Sequence, residues 1–386
     1  MKNLLDQIQK VRSGNVTTIP FIHPTLNKYI FLGKRLYHLI GGAGGSGKSA
    51  WIDQNYAINP ILWMNRYGKD EDIKIKVVLR SLERSKELRK AKWVCLRLYL
   101  TKGILMDTAS MLGWGETKSR ITDDLYEDIK EAYEWVTSLE EHIEIIDGAE
   151  TPTGIYKHLR QEALNKGTLY QYANEEGKEK LYMYREEKRK VVPPEACPEA
   201  TPYQPVYIPD DPNEVTIFII DHLQSLKNER GYNNKQNLDK MSEYAQILRD
   251  RFGFSPVIVN QLNRNVGDTF RRVKTDLLPE EGDFSGSSRM FYDCDMAAIL
   301  FNPYKYNLNT MSGWNIKKCI HEGINRFRSL HLLKNTYGAD NQIFGYQFIG
   351  ENGIFREMTH PEIITDKHYE GIKNPEANQR ITKHTI

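Results

Sequence analysis

Gly42-Ala43-Gly44-Gly45-Ser46-Gly47-Lys48-Ser49 has the residue types and spacing of a phosphate-binding loop. Its glycines let the backbone curl until several N–H groups point at one anion, and a helix beginning at Ser49 adds its partial positive charge. In such a loop Lys48 reaches the β- and γ-phosphates and the Ser49 hydroxyl holds Mg²⁺. The chemistry is the binding of a nucleoside triphosphate. Phe218-Ile219-Ile220-Asp221 is an apolar run closed by a carboxylate. At the end of a buried strand beside the loop, Asp221 would bind the Mg²⁺ shell through water. Hydrolysis also needs a group that orients or deprotonates the attacking water. Two carboxylates are candidates: Glu83, at the end of a predicted strand, and Glu229, in the polar stretch after Asp221. Strand ends converge on the ligand edge of an α/β sheet, which favours Glu83.

These residues need elements to hold them. Residues 35–40 read as a buried strand entering the loop, and Ser49-Ala50-Trp51-Ile52 as the start of the helix leaving it. Further strands are predicted over 73–79, 143–146, 215–220, 256–260, 296–301 and 330–333. Helices are predicted over 86–99, 123–139, 153–164 and 238–251, with Thr151 or Thr153 near the N-cap of the third. Strands alternating with helices predict an α/β domain around a largely parallel central sheet.

Residues 166–212 break this rhythm. Leu169-Tyr170-Gln171-Tyr172 and Leu181-Tyr182-Met183-Tyr184 flank the polar turn Asn174-Glu175-Glu176-Gly177. A charged run at 185–190 then leads into a proline-rich stretch. The segment is expected to be a hairpin plus an extended loop, inserted into the α/β domain. Its tyrosines read as hairpin packing rather than as a base-stacking platform. Near the N-terminus, Leu4, Leu5, Ile8 and Val11 line one face of a short helix over 3–11, able to fold back or to dock on a neighbouring subunit. Residues 359–386 are polar and non-periodic, and read as a surface tail or a partner-docking segment.

The 386 residues carry a net charge of +2, so no global field attracts nucleic acid and any basic surface must be local. Cys95, Cys197, Cys294 and Cys319 lie far apart in sequence, which argues against a zinc site and a secreted disulfide framework. No run has the length of a signal-peptide core or a bilayer span, so a reducing cytoplasm is the expected compartment.

As a set, the motifs resemble the RecA-type motor domain of DnaB-like replicative helicases over about residues 17–358. The resemblance implies a RecA-like P-loop NTPase core that binds ATP and Mg²⁺. Ser81-Leu82-Glu83 looks like that family's Ser-Leu-Glu motif, which implies Glu83 as catalytic base. Ile219-Ile220-Asp221-His222-Leu223-Gln224 is similar to its Ile-Asp-Tyr-Leu-Gln signature, with His222 in the tyrosine place. Asn260-Gln261-Leu262-Asn263-Arg264 is similar to its Ser-Gln-Leu-Asn/Ser-Arg motif, which implies Gln261 as γ-phosphate sensor. Asp283-Phe284-Ser285-Gly286-Ser287-Ser288, continuing to Asp293-Cys294-Asp295, matches the spacing of its DNA-contacting loop. Here Ser285 and Gly286 replace an Arg-Glu pair, leaving the loop amides, Ser287 and Ser288 to bind DNA phosphates. Leu333-Lys334-Asn335-Thr336-Tyr337-Gly338 resembles the Lys-Gln-Arg-Asn-Gly finger, which implies that Lys334 reaches a neighbour's γ-phosphate. Thr336 stands in the arginine place, with Arg326 or Arg328 as substitutes. Arg271, Arg272 and Lys274 are candidates for further DNA-backbone contacts.

The resemblance further implies a ring or helical homo-oligomer, a hexamer in the family, with ATP between subunits. Single-stranded DNA is the expected partner, with a primase or another replication protein beside it. The short stretch before the motor region fits a compact phage- or plasmid-like form without the family's N-terminal primase-binding domain, acting in a host cytoplasm. Two classes of function stay open. One is a helicase moving on single-stranded DNA in replication. The other is a RecA-type ATPase without helicase activity, a recombination mediator or a nucleotide-dependent assembly protein. The set Lys48, Ser49, Glu83, Asp221 and Gln261 supports hydrolysis and the first class; the replacements at Ser285, Gly286 and Thr336 favour the second.

Overall fold

The computed structural model describes residues 18–114, 121–175, 177–267, 277–286 and 288–373, with Leu5, Ile8, Gln9 and Arg12. The first strands are β1 (His38–Gly42), β2 (Lys74–Ser81) and β3 (Ile143–Asp147). A separate group follows: β4 (Gly167–Glu175), β5 (Lys178–Arg185), β6 (Lys188–Val192) and β7 (Val206–Pro209). Then come β8 (Glu214–Asp221), β9 (Ser255–Gln261), β10 (Met296–Phe301), β11 (Phe327–Asn335), β12 (Gln342–Ile349) and β13 (Ile354–Glu357).

A nine-stranded sheet in the order β13-β12-β11-β10-β1-β9-β8-β2-β3 forms the centre. The strands from β10 to β3 in that order are parallel, and β11 to β13 add an antiparallel edge. Parallel strands covered on both faces need apolar side chains pointing both ways. Along β8, Ile217 and Ile219 enter one core with Trp51 and Trp93, while Phe218 and Ile220 enter the opposite core with Leu238 and Leu248. The α/β class with a mostly parallel sheet is therefore as expected. The first strand starts later than the predicted 35–40 and runs into the loop, because Gly41 and Gly42 stay paired to β9 and β10.

The main helices are α1 (Lys48–Ile52), α2 (Asn59–Glu71), α3 (Lys86–Lys102), α4 (Asp123–Leu139), α5 (Pro152–Asn165), α6 (Asn234–Phe252) and α7 (Asp366–Lys373), beside short ones over Thr108–Met111 and Arg289–Asp293. A π-helical stretch, Asp53–Ile58, joins α1 to α2. Local chemistry sets the ends. Ser85 and Thr122 cap α3 and α4, and Thr151 rather than Thr153 caps α5 by accepting from the Gly154 N–H at 3.1 Å. Asn233 and Gln236 form a capping box on α6, which Gly253 ends at φ +77°.

Two expectations are corrected. The expected extended loop after the hairpin is partly sheet: the charged run at 185–190 turns back as β6, and β7 returns from the proline-rich stretch, giving a four-stranded antiparallel sheet β6-β5-β4-β7. The charges suit an edge strand: Arg189 lies 3.9 Å from the Tyr182 ring centre and bonds Glu175 at 2.7 Å. The segment after 359 is not all tail. In α7, Tyr369 and Ile372 are buried, the Tyr369 hydroxyl accepts from the Asn315 N–H at 2.9 Å, and Gln347 donates to the Ile372 carbonyl at 2.8 Å. Its two apolar residues are three apart, too short a pattern to register as periodic. Residues 374–386 lie outside the described residues, as does most of 3–11, where Leu5 and Ile8 are helical and exposed. Among the described residues no helix is long and apolar enough to cross a membrane.

Candidate active site

Strand register assembles the site. At the C-terminal ends of neighbouring β1, β9, β8 and β2, Gly42 lies opposite Gln261 and Ser81 opposite Asp221. Ser81 leads directly to Glu83. This is the edge of an open parallel sheet at which ligands bind.

The loop from Gly42 to Ser49 leaves β1 under tight steric control. Gly47 sits at φ +95°, and a Cβ there would come within 2.8 Å of the Phe355 ring and 2.9 Å of the Phe348 ring. Only glycine meets both demands. Gly44 and Gly45 are exposed at the tip, whereas Ala43 and Ser46 are buried. Lys48 is buried, and its ammonium donates to the Gly42 and Ala43 carbonyls at 2.6 and 3.0 Å. Burial lowers its pKa to about 8, against the opposing pull of Asp221 and Glu83. Ser49, half-buried, is the second residue of α1.

Asp221 is buried beside Arg89, an arginine the sequence reading missed. Arg89 Nη1 lies 3.0 Å from Asp221 Oδ2 and donates to Ser81 Oγ at 3.3 Å, while Nε donates to Asp53 Oδ1 at 2.6 Å. Asp53 opens the π-helical stretch, a device common near functional sites. The other oxygen of Asp221, Oδ1, is buried and has no hydrogen-bond partner among the described residues. A spare carboxylate oxygen within electrostatic reach of Lys48 fits the oxygen chemistry of a hydrated Mg²⁺.

Glu83 is 58% exposed, and its Oε2 lies 3.2 Å from Nε2 of buried His222. The same His222 nitrogen lies 3.2 Å from Nε2 of Gln261. Gln224 accepts from the Gln261 N–H at 3.1 Å and donates to Asn260, which donates to the Ser285 carbonyl at 3.2 Å. The Ser285 N–H returns a bond to the Gln261 carbonyl at 2.9 Å. The loop entering Ser285 and Gly286 is thus tied to the end of β9. Gly286 adopts φ +90°, Ser288 is exposed, and Arg271, Arg272, Lys274 and Ser287 lie outside the described residues. The alternative base, Glu229, is engaged elsewhere: it accepts from the Thr153 N–H at 2.7 Å on the first turn of α5 and pairs with Lys240.

In the finger region the basic side chains make bonds within their own chain. The Lys334 ammonium donates to the Phe291 and Tyr292 carbonyls of its own chain, each at 2.8 Å. Neither proposed substitute for the missing arginine is presented outward. Arg326 is buried and bidentate to Glu351 at 3.0 and 2.9 Å. Arg328 is buried beneath its own P-loop, donating from Nε to the Ser46 carbonyl at 3.1 Å and from Nη1 to the Phe327 carbonyl at 2.7 Å. Burial lowers its pKa to about 10. Asp295 accepts from the Tyr37 N–H at 2.8 Å and from Arg249 at 3.0 Å, and Asp293 from Ser242 at 2.8 Å, so both have internal partners.

The sheet order, the loop and these strand ends define a RecA-like P-loop NTPase fold. The chain is similar to a solved structure described as an ATPase domain, with a TM-score of 0.59 and 17% identity, covering 93% of this chain and 98% of that one. It is also similar to a solved DnaB-like replicative helicase, described with its interactions with primase. There the TM-score is 0.60 and the identity 17%, covering 91% of this chain and 66% of that one. No protein-family model and no curated protein matches the chain. At this identity the likeness is one of fold.

Proposed function

We propose that the chain is a Mg²⁺-dependent ATPase of the DnaB-like helicase type, working on single-stranded DNA in replication as a homo-oligomer, a hexamer in our reading. The observation that carries this is the gathering of Asp221, Glu83 and Gln261 at adjacent strand ends beside the phosphate loop that carries Lys48. Lys48 leaves the Gly42 and Ala43 carbonyls for the β- and γ-phosphates. Glu83 takes a proton from the attacking water, and the Gln261 amide donates to the γ-phosphate. Mg²⁺, held by Ser49 and through water by Asp221, supplies charge neutralisation at the phosphates. Ser285, Gly286, Ser287 and Ser288, with Arg271, Arg272 and Lys274, are the proposed DNA contacts. Lys334 is the proposed finger toward a neighbouring subunit.

The test is ATP hydrolysis with and without single-stranded DNA at low salt, beside unwinding of a forked duplex. Stimulation and unwinding are expected; turnover indifferent to DNA overturns the helicase assignment. The inward positions of Arg326 and Arg328, with Thr336 in the finger, favour a second reading, a RecA-type ATPase without helicase activity. Slow, DNA-indifferent hydrolysis with nucleotide-dependent oligomerisation selects it.

A further inference from the structure

Glu83 is an exposed carboxylate at the mouth of a loop, and a general base must be held within hydrogen-bond reach of the water it activates. Exposed side chains sample several rotamers, so something else must fix it. The one side chain in ion-pair reach of Glu83 among the described residues is His222, 7% exposed at the end of β8. Its ring therefore inherits the rigidity of the central sheet.

The hydrogen bonding of that ring is constrained. His222 Nδ1 is buried without a partner among the described residues, so a proton placed there would go unused. The ring therefore carries a proton on Nε2, which donates to Glu83 Oε2 across 3.2 Å. The amide nitrogen of Gln261 lies 3.2 Å from the same atom. Because that ring nitrogen donates, the Gln261 amide must present its oxygen to it, which turns the Gln261 N–H groups toward another acceptor. A γ-phosphate oxygen is such an acceptor.

We propose that His222 is a positioning residue: its Nε2 holds the Glu83 carboxylate in place for the attacking water. This rests on the reading of Glu83 as the base.

The experiment measures kcat and KM for ATP, and affinity for a non-hydrolysable analogue, in His222→Phe, His222→Gln, Glu83→Gln and the double variant His222→Phe/Glu83→Gln. Phenylalanine keeps the ring and removes the donor; glutamine returns an N–H donor near the Nε2 position. His222→Phe should lower kcat by at least about tenfold, within the range that general-base placement commands. KM and analogue affinity should stay near wild type, and His222→Gln should recover most of the rate. In the Glu83→Gln background His222→Phe should have no further effect on the residual rate, since the carboxylate it positions is gone. Three results overturn the proposal: unchanged kcat in His222→Phe, equal loss in His222→Gln, or the same fold-loss with and without Glu83. Normal turnover by Glu83→Gln instead overturns the base assignment itself, which separates the two failures.

Discussion

Two lysines show how differently two regions of this molecule are built. Lys48 is buried, its ammonium held by carbonyls of a loop whose first residue is registered against Gln261 on one side and Leu300 on the other. Lys334 is half-buried on an antiparallel strand, its ammonium resting on the Phe291 and Tyr292 carbonyls at the end of a short helix. The pairing of that strand with β10 shifts register between Ala297 and Ala298, and the turn that follows is exposed. Chemistry that requires placement to a fraction of an ångström sits on the parallel core. The group we propose to serve a neighbouring subunit rests instead on the antiparallel edge.

The largest effects should fall on the first region, and two substitutions divide it into binding and chemistry. Lys48→Ala and Glu83→Gln should each lower hydrolysis by about 10²–10⁴-fold, the span expected for losing a phosphate clamp or a general base. They should separate in a titration with a fluorescent nucleotide: Lys48→Ala binds more weakly, and Glu83→Gln binds as the wild type does. Normal hydrolysis by either removes that residue from the active centre.

The same comparison explains what was legible in the sequence. The cradle and the buried strands could be read because each is a contiguous run whose function depends on local spacing: Gly42 to Ser49, and the apolar run into Asp221. Arg89 could not, because its role depends on a helix packing it against Asp53 and Asp221 from separate segments. Arg328 was visible as a charge beside the finger, but its inward direction is set by the pairing of β11 with β10 and β12, which no local pattern encodes. The insert shows the same limit. Its first hairpin has a polar turn to announce it, while β7 pairs with β4 from more than thirty residues away.

Arg328→Met comes next in expected size and asks whether the cradle is braced from beneath. Methionine fills much of the volume but leaves the Ser46 and Phe327 carbonyls without this donor. A buried group left unsatisfied costs about 1–3 kcal/mol, so denaturant unfolding should show a loss of that order. Analogue affinity should fall with it, because the loop carbonyl the guanidinium restrains is no longer held. If Arg328 acted on a neighbour instead, mixing Arg328→Met with Lys48→Ala would raise turnover above that of either variant alone. No recovery is expected, since the guanidinium is buried and each of its three nitrogens donates to a carbonyl.

The smallest effect on the isolated subunit, and the most informative one on the assembly, should come from Lys334→Ala. The lost bonds end on two carbonyls at a half-buried site, and a typical hydrogen bond contributes about 0.5–1.5 kcal/mol net, so unfolding should change little. If the ammonium instead leaves those carbonyls for a neighbour's phosphates, each active centre depends on two chains. Mixing Lys334→Ala with Lys48→Ala should then raise ATP turnover above that of either variant alone, because one chain brings an intact cradle and the other an intact finger. No recovery would confine Lys334 to its own chain, leaving the Phe291 and Tyr292 carbonyls as its lasting partners. The helicase reading would then lack any finger among the residues proposed for it.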